Sequence, residues 1–295
     1  MNVVQAIPGH RARVFSLDYS LVPNSIFPTQ LEQIIRAYEY LLTSTSPEDI
    51  ILAGDSAGAS LHLSLLLHIV RPCPDIRSSS LSTSLPIPRA LILISPWCHI
   101  DTQHETTCRS TRAIDEDYLE TDMLNQYARL YTGASQPRDP PPLIFPLEFW
   151  WQAAKRLGRQ VVEFEYTSKW ISAVKSSIEE SSFDSRESTR HADLCKSPYR
   201  NPFAALDHPA WLADALPFDT LVIYGGKEFM AGDIKTFAAG LEKVSRGKVE
   251  IKTCWKLGWH AWPFVVMYLG KDTRETESGV KLIGEYISKT MQIKE

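Results

Sequence analysis

Three residues whose side chains together can perform nucleophilic catalysis occur in separate parts of the chain: Ser56, Glu228 and His260. A serine hydroxyl is a poor nucleophile at neutral pH, so a neutral imidazole must accept its proton. The imidazole in turn needs a carboxylate that holds it in the correct tautomer. A serine, an acid and a histidine therefore form a candidate catalytic triad if the fold brings them together.

Ser56 lies in a Gly-Asp-Ser-Ala-Gly stretch that follows an apolar strand pattern and precedes an apolar helix pattern. A strand that reverses sharply into a helix needs small residues beside the serine, and Gly54 and Gly58 supply this room. The backbone N–H of Ala57, at the start of the helix, is a candidate donor to an oxyanion. The stretch predicts a nucleophile elbow.

The acid and the histidine follow two later strand patterns. Glu228 comes after the predicted strand 220–224, and His260 comes after the predicted strand 249–255. Catalytic groups of open α/β sheets lie at the carboxyl ends of strands. Glu228 and His260 are therefore expected at the same sheet edge as Ser56.

Other polar residues have simpler interpretations. Asp233 is an alternative triad acid, but its position favours a role as the N-cap of the helix that follows. His62 and His68 are interpreted as packing or surface residues. A metal site is not favoured, because the spacing of the nearest candidates fits no regular helix or strand face; these are His99, Asp101 and His104.

The alternation of strand and helix patterns predicts a doubly wound α/β fold with a mostly parallel sheet. The run 90–95 is continuously apolar, as expected of a strand buried on both faces. A capping box of Thr29 and Glu32 predicts the start of the first helix. The predicted strands cover residues 13–18, 50–53, 90–95, 220–224 and 249–255. The predicted helices cover residues 29–42, 59–70, 122–131, 234–244 and 276–291.

The stretch 97–218 is predicted to be a cap or lid inserted into a single domain that spans residues 1–295. Within it, residues 141–196 show no regular pattern and are rich in aromatic side chains. An aromatic insertion after the nucleophile suits a substrate lid. The alternative interpretation is a poorly ordered excursion.

Composition limits the classes of partner and compartment. The net charge of −4 argues against a nucleic-acid-binding platform. The five cysteines are scattered, which favours reduced thiols. The first residues lack a signal-peptide pattern, and no apolar run reaches the roughly 20 residues of a membrane span. We expect a soluble, cytoplasmic protein that requires no membrane, with association to the endoplasmic reticulum if an N-terminal segment is missing.

The chain resembles the hormone-sensitive-lipase-like branch of the α/β-hydrolases, the fold-3 carboxylesterases that include fungal sterol acetyl hydrolases. The similar stretches are Asp18-Tyr19-Ser20-Leu21-Val22-Pro23, close to the family's D-Y-R-L-A-P; Gly54-Asp55-Ser56-Ala57-Gly58, its G-D-S-A-G; Ser95-Pro96-Trp97; Gly225-Gly226-Lys227-Glu228, where its acid lies; and His260-Ala261-Trp262-Pro263, where its histidine lies.

The resemblance implies ester hydrolysis through an acyl-enzyme, with Ser56 as nucleophile, His260 as base and then acid, and Glu228 as orienting carboxylate. The family's H-G-G-G loop, which supplies most of the oxyanion hole, has no counterpart before Arg13, so we expect an N-terminally shortened α/β-hydrolase fold. Loss of one oxyanion donor typically costs about 10²- to 10³-fold in turnover. Residues 141–196 match no part of the family pattern.

The expected function is that of a serine carboxylesterase of lipid metabolism, which hydrolyses small acyl, acetyl-like esters of a lipophilic alcohol. One alternative is a weak or inactive hydrolase-fold protein that binds a small apolar ligand. A second alternative is an acyl-transferring or amide-cleaving relative. The expected partner is a small-molecule ester, and no metal or cofactor is implied.

Overall fold

The computed structural model describes residues 12–77, 85–100, 117, 119, 121–135, 185–254, 258–263 and 273–291. In this part of the chain, strands pair in the spatial order β1-β2-β3-β4, and every pairing is parallel. Parallel strands end at one edge of their sheet, so the loops that follow them meet there. The strands are β1 (Ile51–Asp55), β2 (Ala90–Ile94), β3 (Asp219–Gly225) and β4 (Lys248–Cys254).

Helices connect and flank the strands. No helix within the described residues has the length and apolarity needed to cross a lipid bilayer. Two short 3₁₀ segments lie at Pro47–Asp49 and Pro202–Asp207. The helices are α1 (Thr29–Leu42), α2 (Ala57–Val70), α3 (Thr121–Thr132), α4 (Ser185–Leu194), α5 (Pro209–Ala215), α6 (Ala231–Val244) and α7 (Thr273–Thr290).

The alternation of side chains along the central strands explains why helices cover both faces of the sheet. Leu91 and Leu93 of β2 belong to the core cluster that contains buried residues of α1, α2 and α6. Ile92 and Ile94, which point to the opposite face, pack with Ile283 of α7. The predicted doubly wound fold, and the double burial of the strand predicted over 90–95, are confirmed.

The strand predicted over 13–18 is wrong. These residues form no regular element, and the side chain of Val14 remains 73% exposed. A strand needs a neighbour that accepts and donates its backbone hydrogen bonds. None of the described strands pairs with this segment.

The capping box predicted for the first helix is also absent. Thr29 is already the first helical residue, and Pro28 occupies the N-cap position without a side-chain hydrogen bond. The N–H of Glu32 donates to the carbonyl of Pro28, so the helix begins one residue too early for Thr29 to cap it. The buried residues of α1 include Leu31, Ile35 and Tyr38.

Later helix boundaries also differ from the prediction, and α6 begins at Ala231, three residues before the predicted start at 234. Helix α4 lies inside the stretch that is expected to be irregular. Its residues 185–194 form about three helical turns, with an acidic residue in the first turn. Helix α7 begins at Thr273, three residues before the predicted start at Thr276. The remaining residues predicted to be irregular, 141–184, lie outside the described residues.

The turn from β1 into α2 is tight on one side only. A Cβ at Gly54 would lie 2.7 Å from the carbonyl carbon of Gly58 and 2.8 Å from the nitrogen of Ala59. A Cβ at Gly58 would meet no atom within 4 Å. The lack of a side chain at Gly54 is therefore what lets the first turn of α2 approach the end of β1, and Gly58 does not supply room as predicted.

This asymmetry gives a matched pair of variants. Gly54→Ala should lower the free energy of unfolding by about 1–3 kcal/mol, because the added methyl group displaces helix backbone. Gly58→Ala should leave it unchanged or raise it by up to about 1 kcal/mol, because alanine favours the helix. Urea denaturation of both variants measures the difference, and equal unfolding free energies would contradict the one-sided contact.

Candidate active site

Ser56 occupies a strained backbone position between β1 and α2. Its φ is +50° and its ψ is −120°, a region that costs a non-glycine residue about 1–3 kcal/mol. Its N–H donates to the carbonyl of Ile94 (2.9 Å), and its carbonyl accepts from the N–H of Trp97 (3.1 Å). These bonds fix the elbow to the end of β2 and to the loop that follows.

Glu228 and His260 lie together at the carboxyl ends of β3 and β4. Both are almost fully buried, with 1% and 3% of their surfaces exposed. The distance from Glu228 Oε1 to His260 Nδ1 is 3.7 Å, which is an ion-pair contact longer than a hydrogen bond. The structure therefore brings the expected acid and histidine together at the sheet edge where β1 ends and Ser56 follows.

Burial and charge act in opposite directions on this pair. Burial raises the pKa of Glu228 above 4.5, while His260, the Ser95 hydroxyl and the Gly225 N–H work to lower it. Burial alone would lower the pKa of His260, but the Glu228 carboxylate, with the charges of Asp117 and Asp55, outweighs it, so that pKa lies above 6.5. The site thus favours the imidazolium, the form that appears when a histidine accepts a proton from serine.

Ser95, the residue after β2, joins the acid to the histidine loop, which comprises residues 258–263. It is fully buried, and its hydroxyl donates to Glu228 Oε2 at 2.6 Å. Ser95 Oγ also accepts from the N–H of Ala261, at 2.9 Å. The Gly225 N–H also donates to Glu228 Oε2, at 3.0 Å. Sequence reasoning matched the Ser95-Pro96-Trp97 stretch to a family pattern and missed this role, because both partners of Ser95 are distant in sequence.

The acid loop, residues 226–230, and the histidine loop are in direct backbone contact. The Gly226 N–H donates to Cys254 O (2.6 Å), and the Lys227 N–H donates to Gly258 O (2.9 Å). A Cβ at Gly225 would lie 2.2 Å from Gly258 O. Glycine at position 225 is therefore required for the two loops to lie this close.

Asp233 is not the N-cap that its position suggested. Met230 is the N-cap of α6, and Asp233 is the third residue of that helix. Its Oδ1 lies 3.5 Å from Nδ1 of His99, whose ring stacks on Phe203 with centroids 4.3 Å apart. Asp233 is thus paired with His99, while Glu228 is the acid that lies beside His260.

The remaining polar candidates have local contacts. His68 Nδ1 accepts from the N–H of Cys73 at 3.0 Å, and His62 Nε2 lies 3.0 Å from Ala53 O. Asp101 and His104 lie outside the described residues. Cys73, Cys98, Cys195 and Cys254 are free thiols. Within the described ranges, no group of three metal-binding side chains is arranged to hold an ion.

Ala57 is the first residue of α2, directly after Ser56.

Comparison with known proteins places this site within a family. The chain belongs to the alpha/beta hydrolase fold family, whose model matches residues 5–165. This match includes the strained serine turn and β2, and the acid and histidine follow it in the chain.

Individual relatives carry names that refer to ester cleavage. An acetyl-hydrolase from Streptomyces hygroscopicus is 34% identical over 130 residues, which cover 44% of this chain and 39% of that protein. An esterase from Acinetobacter venetianus is 33% identical over 95 residues, which cover 32% of this chain and 28% of the relative.

A solved structure shows the same fold. The hormone-sensitive-lipase homologue EstE7 from a metagenome library superposes with a TM-score of 0.57 at 24% identity, over 94% of this chain and 67% of EstE7. The matched stretches span less than two fifths of each curated relative.

The hydrogen bonds of Ser95 can be tested by removing its hydroxyl. Ser95→Ala should lower the free energy of unfolding by about 1–3 kcal/mol, because a buried carboxylate loses a donor and a buried N–H loses its acceptor. The control is Ser64→Ala, which removes a buried hydroxyl that donates to the neutral carbonyl of Tyr199. Urea denaturation at pH 7 should show the larger loss for Ser95→Ala; an equal or smaller loss would contradict the linking role.

Proposed function

We propose that the chain is a serine carboxylesterase that hydrolyses small acyl, acetyl-like esters of a lipophilic alcohol. The observation that carries this proposal is the buried Glu228–His260 pair at the sheet edge where Ser56 sits on a strained turn. Buried acid and histidine pairs with shifted pKa values cluster at sites of proton transfer.

The proposed reaction has two halves. Ser56 Oγ attacks the ester carbonyl while His260 accepts its proton, and the bond to the alcohol breaks as His260 returns that proton to the leaving oxygen. Water then attacks the acyl-enzyme and loses a proton to His260; the bond between the acyl carbon and Ser56 Oγ breaks as His260 returns that proton to Oγ, which releases the carboxylic acid. Glu228 holds the imidazole and stabilises its charge in both halves. The N–H of Ala57 donates to the oxyanion.

The substrate class rests on different support. A relative named acetyl-hydrolase and another named esterase favour short acyl groups on an ester. Partly buried aromatic side chains, Trp97 and Phe229, follow β2 and Glu228 respectively and pack against the main core cluster. Apolar surfaces next to the strand ends suit a lipophilic alcohol. No metal or cofactor enters these steps.

The nucleophile can be tested by covalent labelling. Ser56→Ala should lose all reaction with a fluorophosphonate probe, and its turnover of nitrophenyl acetate to butyrate esters should fall by on the order of 10³-fold or more, because the attacking oxygen is removed. Ser44→Ala, a change at an exposed serine after α1, should label and turn over like the wild type.

Two other results would redirect the proposal. A folded wild type that neither labels nor turns over would overturn the esterase assignment and favour a hydrolase fold that only binds an apolar ligand. Transfer of the acyl group to an added alcohol in preference to water would indicate an acyltransferase on the same site.

The identity of the acid can be tested by comparing two carboxylates. Because the Glu228 carboxylate raises the pKa of His260, the labelling rate should rise with pH through an apparent pKa above that of a free imidazole. Glu228→Gln should lower the plateau rate by about 10²- to 10⁴-fold and move the rise to lower pH, since a negative charge beside the imidazole is lost. Asp233→Asn should change neither.

The labelling rate as a function of pH measures both effects. Strong loss in Asp233→Asn together with a mild effect of Glu228→Gln would reverse the assignment of the acid.

A further inference from the structure

Asp117 is a fully buried acid that no sequence pattern singled out. Its Oδ2 accepts from the N–H of Phe229 at 2.7 Å, and its Oδ1 accepts from the N–H of His260 at 3.3 Å. Phe229 directly follows Glu228. One carboxylate therefore bonds to the peptide units that adjoin the proposed acid and the proposed base.

The position of Asp117 in the chain makes this contact informative. It lies between β2 and β3, 112 residues before Phe229 and 143 residues before His260. This places it in the stretch 97–218 that the sequence marks as an insertion. A residue of the inserted segment thus reaches back to the sheet edge and contacts both loops of the site.

We propose that Asp117 is a positioning residue that sets the relative placement of Glu228 and His260 from the inserted segment. The inference rests on the proposed function of this pair. The direct backbone bonds from the acid loop to the end of β4 and to the histidine loop are donated by Gly226 and Lys227, which precede Glu228. Asp117 instead links the peptide units beside the reacting side chains, where a displacement of about 1 Å can cost 10²-fold in rate.

The charge of Asp117 also acts on His260. Burial lowers the pKa of the imidazole, and three carboxylates raise it: Glu228 in the acid loop, Asp117, and Asp55 at the end of β1. Loss of the Asp117 charge should therefore lower the pKa of His260. If Asp117 had a purely structural role, that pKa would stay unchanged.

Two substitutions separate charge from placement. Asp117→Asn keeps the shape but loses the charge and one of the two acceptors, because an amide nitrogen only donates. Asp117→Glu keeps the charge and lengthens the side chain by one methylene group. The matched control is Asp214→Asn, at a partly exposed acid of α5 that pairs with Arg246.

Two readouts are measured on each folded variant. NMR titration of the His260 ring, assigned with His260→Gln, gives its pKa without any need for activity. The rate of fluorophosphonate labelling across the pH range gives the competence of the site. Circular dichroism and thermal melting check that each variant is folded.

The expected result is a lower His260 pKa and labelling roughly 10- to 100-fold slower in Asp117→Asn. Asp117→Glu should label more slowly at a nearly unchanged His260 pKa, and Asp214→Asn should match the wild type. A wild-type labelling rate in both Asp117 variants would overturn the proposal, as would an unmoved His260 pKa in Asp117→Asn.

The proposed function can fail separately. If the folded wild type does not label, the esterase assignment is lost, and the titration alone decides: a lower His260 pKa in Asp117→Asn supports the contact, and an unchanged value refutes it. If Asp117→Asn does not fold, the labelling rate of Asp117→Glu decides, since slower labelling supports placement by this side chain and a wild-type rate overturns it.

Discussion

The burial of the Glu228 carboxylate is the constraint around which the rest of the site is built. A charge removed from water must be compensated by donors or by an opposite charge. The Ser95 hydroxyl, the Gly225 N–H and the imidazole of His260 supply this compensation. Each comes from a different strand end or loop. Satisfying this one carboxylate therefore fixes the positions of the ends of β2 and β3 and of the histidine loop relative to one another.

That requirement explains several backbone features at once. Ser95 has a φ of +43° and Ala261 a φ of +51°, and the hydrogen bond between them is the contact that holds the histidine loop against the end of β2. A side chain at position 225 would clash with the backbone of Gly258, so this position requires glycine. The parallel sheet brings the loops to a common edge, and these backbone features place Glu228 within hydrogen-bond distance of Ser95 and 3.7 Å from His260.

Sequence reasoning located the strands that carry the site and the residues that follow them, because apolar runs and chain order are local signals. It could not find Ser95 or Asp117 as partners, since their contacts join residues more than one hundred positions apart. It placed a strand at 13–18 from its apolar pattern, although a strand exists only with a paired neighbour. It made Asp233 a cap from its position before an apolar helix pattern, which is wrong, because α6 begins two residues earlier and has Met230 at its N-cap.

The described part of the chain contains three non-glycine residues with positive φ, and they are Ser56, Ser95 and Ala261. All three belong to the candidate site, so conformational strain is concentrated in one small region. Substitutions that relax this backbone without losing a contact would therefore stabilise the fold. Glycine at position 261 would relax the backbone and keep the N–H that donates to Ser95 Oγ. Glycine at position 56 would remove the hydroxyl proposed to attack the substrate, and glycine at position 95 would remove a hydroxyl whose two buried hydrogen bonds stabilise the fold. Heat resistance and competence of the site are therefore compatible at position 261.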